Sequence, residues 1–389
     1  KDIDKIKQID MVVVNLYPFN EVKNKTDNRE EIIENIDIGG VSLIRAASKN
    51  YKNVSILTDP NQYEYFMDNY ETIGNIRMEL ALRGFEHVTE YDQSITNYFD
   101  NKIRFRKYTE MRNIKYGCNP YQTESFISTI NNNQFPIKIL NGNPGYINYL
   151  DSFNSWLLVN EASNLLNTVV ATSFKHNTPA GVAISGAKFT DDEILLYDLS
   201  NHNNLSDVAR AFVKARNCDA LSSFGDFIAI SGVVDESCAN LIKREVSDGI
   251  IALGYTDEAL EILKQKKKGK YCILQGEKNI DYSRIEHREI MGLCISQHCN
   301  NEMVNESYFE KVPTKNNTID IDKRNDLLLA TITLKYTPSN SIAIANDGRV
   351  IGIGAGQQNR VDCIKLAGAK AHMYILKSHP KVLKLIKLF

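Results

Sequence analysis

The sequence predicts an α/β protein, its first hundred residues forming a parallel sheet with helices packed on it, and three observations carry that prediction. Strand-like and helix-like signals alternate over the first hundred residues. The alternation resumes beyond a short basic segment at Asn101–Arg112. Glycine- and asparagine-rich turns such as Asn141-Gly142-Asn143-Pro144-Gly145 punctuate the second stretch. In order, the pattern gives a strand at Met11–Leu16, a charged loop at Glu21–Glu30, a helix from about Val41, a strand at Val54–Thr58 and an amphipathic helix over Ile76–Phe99. The basic segment, with Lys102, Arg104, Arg106, Lys107 and Arg112, reads as a linker or boundary helix rather than a nucleic-acid patch. Further on, Val208 and Phe212 mark one apolar face of a helix over Leu205–Arg216. Strands follow at Ile228–Ile230 and Ile342–Ala345, the latter turned back by Asn346-Asp347-Gly348.

At 389 residues, 43% of them hydrophobic, the chain can bury the cores of two domains. A formal net charge of −2 argues against a dedicated nucleic-acid binder and for small-molecule ligands. Seven scattered cysteines, an odd number, read as reduced thiols of a cytoplasmic protein. Cys294-Ile-Ser-Gln-His298-Cys299 matches no zinc spacing, so buried apolar thiols are expected there. Lys1–Asp10 is charged rather than a signal peptide, and no apolar run approaches the roughly 20 residues of a membrane span. The chain starts without Met and stops in the apolar Leu385–Phe389, so both ends read as cut.

The richest stretch is Lys175-His176-Asn177-Thr178-Pro179. The run Thr168–Phe174 reads as a buried strand, and Pro179-Ala180-Gly181 is expected to turn the chain, leaving Lys175 and His176 at the strand's carboxyl end, where open α/β sheets bind ligands. An imidazole can take a proton from an amine, and a neighbouring ammonium can stabilise the oxyanion formed as that amine attacks a carbonyl carbon. The pair therefore points to acyl transfer. Asp37-Ile38-Gly39-Gly40 opens a helix that carries Arg45 and Lys49 on one face, an arrangement suited to a phosphate. Asn15-Leu16-Tyr17-Pro18-Phe19 brings an amide and a phenol to the same sheet edge. Ser222–Phe227 suits the wall of an aromatic-base pocket, and Asp248 at a turn can accept hydrogen bonds from ribose hydroxyls. Lys264–Lys270 reads as a surface loop. In Val350–Arg360 the glycines miss the dinucleotide fingerprint, since Gln occupies position 357. Close approach of backbone to a ligand is the better reading, with Gln357, Gln358 and Arg360 at the helix mouth.

Asn-Leu-Tyr-Pro-Phe, Ile-Asp-Ile-Gly-Gly-Val, Lys-Tyr-Gly-x-Asn-Pro, Ser-Phe-Lys-His-x-x-Pro, Ser-Ser-Phe-Gly-Asp-Phe, Arg-Glu-Val-Ser-Asp-Gly-Ile-Ile and Ile-Gly-Ile-Gly-Ala-Gly-Gln-Gln occur in this order. Together they resemble the bifunctional family that joins phosphoribosylaminoimidazolecarboxamide formyltransferase (AICAR transformylase) to inosine-monophosphate (IMP) cyclohydrolase. The resemblance implies a partial methylglyoxal-synthase-like parallel-sheet domain over 1–112 and a cytidine-deaminase-like transformylase domain over 113–389. In the first it places the catalytic lysine at Lys49, with Tyr17 and Asp37 as partners, and Val14, Asn15, Ile38, Gly39 and Gly40 around the nucleotide. In the second it makes His176 the general base and Lys175 the transition-state stabiliser. Lys115, Tyr116, Gly225, Asp248, Asn340 and Arg360 hold the ribonucleotide, and Val361 borders the folate. It further implies 10-formyltetrahydrofolate as formyl donor, no zinc, room for a monovalent cation, and a homodimer with transformylase sites at the subunit interface. Lys115, Tyr121 and Pro338 depart from the family's usual Arg, His and Gln. Segments expected before and after this chain are missing, which carries the alternative expectation of an impaired nucleotide-binding fragment. A zinc deaminase is disfavoured: His287-Arg288-Glu289 has the first half of that signature, but the chain contains no Cys-x-x-Cys.

Overall fold

Val12, Val13, Ile56 and Leu57, branched and apolar, form two short strands, β1 (Met11–Val13) and β2 (Ser55–Leu57), that pair in parallel with Met11 opposite Ser55. The computed structural model describes residues 7–130, 134–202, 204–280 and 285–388; Phe389, the last residue of the apolar end, lies outside them. The chain divides into two compact units, Lys1–Lys107 and Tyr108–Phe389.

In the first unit α1 (Phe19–Lys25), α2 (Arg29–Glu34) and α3 (Gly39–Lys49) lie between the two strands, and α4 (Gln62–Asp68) and α5 (Ile73–Phe99) follow them. Ile76, Leu80, Val88 and Tyr91 form the buried stripe of α5, as the helical period requires. Ile76, Leu80 and Val88 close a core with Ile44, Ala47, Ile56 and Phe66. Phe19 is fully buried, edge-on to Tyr91 and Tyr98.

Of the two readings of the basic segment, linker and boundary helix, its first part takes the linker and no helix forms. Residues 101–107 lack regular structure, and Tyr108–Asn113, where Tyr108, Thr109 and Met111 alternate with charged residues, is strand β3, paired with β4 (Phe126–Ile130). The remaining elements of the second unit are β5 (Ile137–Asn141), α6 (Tyr146–Leu166), β6 (Val170–Lys175), β7 (Thr178–Ile184), α7 (Asp191–Leu196), α8 (Asp207–Cys218) and β8 (Asp226–Val234). Then come α9 (Glu236–Arg244), β9 (Ser247–Tyr255), α10 (Asp257–Lys264), β10 (Cys272–Gly276), β11 (Ile285–Ile290), β12 (Leu293–His298), α11 (Ile321–Lys335), β13 (Ile342–Asn346), β14 (Arg349–Gly354), α12 (Arg360–Lys377) and α13 (Pro380–Ile386).

Eight strands make one sheet in the order β13-β14-β7-β6-β8-β9-β10-β5. Only β8–β9 and β9–β10 are parallel, so this sheet is mixed; the parallel pairing expected of the first hundred residues is that of β1 and β2. Two of the antiparallel pairs, β6–β7 and β13–β14, follow from two-residue links, which cannot carry a crossover. Both faces are covered. Phe212, Leu241 and Leu263, from α8, α9 and α10, pack with Ile228, Ile250 and Ile273. Trp156 and Leu158 of α6 and Leu329 and Ile332 of α11 pack with Phe174, Val182, Phe227 and Leu274. Fully burying each such side chain contributes about 1.5–3 kcal/mol.

Three local expectations need correction. Pro179-Ala180-Gly181 does not turn the chain but lies in β7, and the turn is His176-Asn177, between the paired Lys175 and Thr178. Proline is tolerated there because the ladder slips at Ser173/Phe174, opposite it. Gly352 and Gly354 serve the packing of α12 rather than a ligand: a Cβ on either would overlap the carbonyl oxygen of Ala367 or Cys363. The thiols of the expected buried cluster are more open, Cys294 exposed on β12 and Cys299 half-buried.

Candidate active sites

In the first unit the expected residues gather at the carboxyl end of β1 and the start of α3. Val14 continues β1 by donating its N–H to Leu57 O at 2.9 Å, and Asn15 and Tyr17 follow it. Asp37 organises what lies above. Its Oδ1 accepts the Gly40 N–H at 2.6 Å and its Oδ2 the Tyr17 N–H at 3.3 Å. Its own N–H donates to the Tyr91 hydroxyl at 2.8 Å, and that hydroxyl donates to Asn35 O at 3.1 Å. Burial holds the Tyr91 phenol above its ordinary pKa, so it stays a neutral donor.

The two glycines have different duties. A Cβ on Gly40 would lie 2.7 Å from Asp37 Oδ2, whereas one on Gly39 meets nothing within 4 Å. Only Gly39 offers an open approach to the helix mouth, because the Gly40 N–H is taken by Asp37. Tyr17 and Ile38 stand exposed beside it. Lys49 is not in this group. It lies in the last turn of α3, ten residues beyond Gly39 and so ~15 Å along the axis, exposed on the same side as Arg45.

In the second unit, strand direction decides which residues meet. The carboxyl end of β6, at Lys175, lies beside the amino ends of β7, β8 and β13 and the carboxyl end of β14; β9 and β10 begin there too. One end of the sheet therefore carries Lys175 and His176, Gly225 before β8, Asp248 at the start of β9, Asn340 before β13, and Arg360 and Val361 opening α12 beyond β14. With strands ~4.8 Å apart, β14 and β9 each lie about 10 Å from β6.

Lys175 Nζ donates to Phe224 O at 2.6 Å, which aims the ammonium across the Gly225 turn. Gly225 has φ +76°, a left-handed backbone that favours glycine, and its face toward Lys175 is open. Beneath it Asp226, fully buried, pairs with Arg216 at 2.9 Å and accepts from Ser173 Oγ at 2.6 Å. Burial outweighs these contacts and pushes the Asp226 carboxyl up to about 6. Asn340 donates Nδ2–H to Gln357 O at 3.1 Å, fixing the loop that precedes Arg360. Arg360, Val361 and His176 are exposed and face solvent.

Asp248 is paired with a lysine at the surface. Lys267 Nζ sits 2.6 Å from its Oδ1, so the Lys264–Lys270 run is more than a surface loop. The adjacent Lys266 Nζ caps the end of α9 by donating to Ile242 O at 2.9 Å and Glu245 O at 2.7 Å. Lys115 and Tyr116 lie on the loop after β3, where the ammonium is 5.3 Å from the phenol ring centre. No group of three metal-ligating side chains is poised to hold an ion among the described residues.

Sequence reasoning missed Tyr91, which supports Asp37, and Asp151, which lies behind the His176 turn. Asp151 Oδ1 accepts the Asn177 N–H at 2.5 Å, and Asn154 Nδ2 donates to Asn177 Oδ1 at 2.6 Å. Burial pushes the Asp151 carboxyl up to about 6, against the lowering by the Asn177 N–H and the nearby His176. The available signal was a carboxylate on the inward stripe of α6, level with Ser152, Ser155 and Trp156.

The fold is that of a mixed α/β enzyme, with a candidate site in each unit. Residues 47–370 match the family described as AICARFT/IMPCHase bienzyme. The bifunctional purine biosynthesis protein PurH of Prochlorococcus marinus (strain MIT 9211) is 34% identical over 400 residues, covering 97% of this chain and 73% of that protein. Its counterpart in strain MIT 9215 is 32% identical over 378 residues, covering 93% of this chain and 69% of that protein. The counterpart in strain MIT 9312 is 34% identical, with the same coverage of 93% and 69%. The chain belongs to the AICARFT/IMPCHase bienzyme family.

Proposed function

We propose that this chain catalyses the last two steps of de novo IMP synthesis: formyl transfer from 10-formyltetrahydrofolate to the 5-amino group of AICAR, then dehydrative ring closure of the formylated product. The observation that carries this reading is the convergence of Lys175, His176, Gly225, Asp248, Asn340 and Arg360 on one end of a single sheet. We assign formyl transfer to a transformylase domain of cytidine-deaminase-like type over 113–389, and ring closure to a methylglyoxal-synthase-like domain over 1–112.

In formyl transfer, His176 takes the proton released as the amine nitrogen bonds to the formyl carbon. Lys175, aimed by Phe224 O, stabilises the negative charge on the formyl oxygen. The bond from that carbon to the folate nitrogen then breaks, and the proton passes to the departing nitrogen. Gly225, Asn340 and Arg360 hold the ribonucleotide, with Lys115, Tyr116 and Asp248 completing its site, and Val361 borders the folate. Asp248 is held by Lys267 through Oδ1.

In ring closure, Asp37 and Tyr17 shuttle protons at the mouth of α3, with Val14, Asn15, Ile38, Gly39 and Gly40 around the nucleotide. Lys49 contributes from the far end of that helix. The reading includes a homodimer with transformylase sites at the subunit interface, supported by the exposed Met291, Leu293 and Ile295 of the β11–β12 hairpin and Val361 and Ile364 of α12. It also includes a supporting monovalent cation and a cytoplasmic setting. Free cysteines fit that setting, and no helix among the described residues is long and apolar enough to cross a membrane.

The test is the absorbance assay for formyl transfer on the chain and on His176→Ala. Activity lost in the variant supports the assignment, and equal rates in both overturn it.

A further inference from the structure

Two hairpin turns in the second unit are each gripped from behind by a buried aspartate, and the contrast between them isolates a role. At the β13–β14 turn, Asp326 of α11 accepts the N–H groups of Asp347 at 3.1 Å and Gly348 at 2.7 Å. That turn has a sequence suited to the left-handed conformation both residues adopt, φ 53° and 67°. The Asp326 charge is balanced by Lys323 Nζ at 3.2 Å. At the β6–β7 turn, His176 and Asn177 adopt the same conformation, φ 52° and 59°, without a glycine. Each such residue costs of order 1 kcal/mol or more, so something must hold it. Asp151, only 5% exposed, does so through the Asn177 N–H, and Asn154, one turn further along α6, clamps the Asn177 side chain.

Asp151 ion-pairs with no Lys or Arg among the described residues. A buried carboxylate is costly without a cation, and an asparagine there would accept the same hydrogen bond more cheaply. The charge itself therefore needs a purpose, and it sits directly behind His176, on the amide of the next residue in the turn, 2.5 Å away. The other charged groups around the turn are Lys175 on β6 and Asp248 on β9, the latter neutralised by Lys267. We propose that Asp151 is a positioning residue for formyl transfer: its carboxylate fixes the backbone that presents His176, and its charge favours the imidazolium formed when His176 takes the amine proton. Fixing geometry matters because a displacement of about 1 Å can lower a rate 100-fold. This rests on the formyl-transfer reading above.

The experiment compares Asp151→Asn, Asp151→Ala and Asp326→Asn in the full chain. It measures kcat and KM for formyl transfer, the cyclohydrolase rate of the same preparations, and hydrogen exchange at the Asn177 amide. Asp151→Asn should keep the amide protected yet lower kcat roughly 10-fold, with KM changed less than about threefold. Asp151→Ala should expose the amide and lower kcat roughly 100-fold. Asp326→Asn should leave kcat alone, and cyclohydrolase should be unchanged in all three. An Asp151→Asn kcat within twofold of the parent overturns the role of the charge, and it decides that point even if Asp151→Ala fails to fold. Unchanged Asn177 exchange in a folded Asp151→Ala overturns the role of the grip. A parent without formyl transfer would sink the transformylase reading instead, while the exchange result would still judge the grip.

Discussion

The two centres are built on opposite plans. In the second unit Lys175 and His176 stand on a hairpin inside an eight-stranded sheet covered on both faces, with buried groups gripping the turn from behind. In the first unit Tyr17, Ile38 and Gly39 lie open on a two-stranded sheet and a helix mouth, tied together by the half-buried Asp37. On the roles proposed for the two centres, a group that meets one proton on one nitrogen needs a fixed address, and burial supplies it. A surface that must admit a nucleotide and release it needs only a few fixed backbone groups.

The sharpest test of that contrast is separability. His176→Ala should lower formyl transfer by about 1000-fold while leaving cyclohydrolase intact, measured by parallel assays on one preparation. A matching fall in both rates would show that the centres are not independent. Asp37→Ala orphans the Gly40 and Tyr17 amides and should lower cyclohydrolase about 100-fold with formyl transfer unchanged. Lys49→Ala, assayed beside it, sharpens the picture: an equal loss would mean that the far end of α3 reaches the nucleotide, despite the axial separation.

Stability should differ too. Breaking the buried pair by Arg216→Ala should cost about 3–5 kcal/mol in the second unit, read by urea denaturation. The pH dependence follows from Asp151. Its folded pKa is raised, so its contribution to stability is fully present below the unfolded value of 3.8 and is lost as pH rises through about 6. Asp151→Asn should therefore flatten the stability profile between about pH 4 and 6.5, by roughly 2–3 kcal/mol over that window. The smallest effect is at the helix mouth. Gly40→Ala should destabilise the first unit by about 1–3 kcal/mol, because its Cβ meets the Asp37 carboxylate. Gly39→Ala should be neutral or mildly stabilising, up to about 1 kcal/mol, in thermal melts.

Local pattern carried much of the architecture. The helices at Ile73–Phe99 and Asp207–Cys218 and the strands at Ser55–Leu57 and Ile342–Asn346 fall where periodicity put them. The direction of the large sheet was not legible, because pattern does not distinguish parallel from antiparallel neighbours when both faces are buried. The His176–Asn177 turn was hidden behind the stronger turn signal of Pro179-Ala180-Gly181, which a slipped ladder absorbs into β7. The motifs brought most candidate residues of the second unit into view. Their supports stayed hidden, because Asp151, Tyr91 and Lys267 act over 26, 54 and 19 positions.

Gly352 and Gly354 set a mechanical tolerance. With no side chains between them, α12 rests backbone to backbone on β14, so there is no compliant layer to absorb error. This 18-residue helix is ~27 Å long and carries Arg360 and Val361 at its tip. A single methyl at either glycine would act as a shim, lifting the beam near that tip and throwing both residues out of alignment with His176.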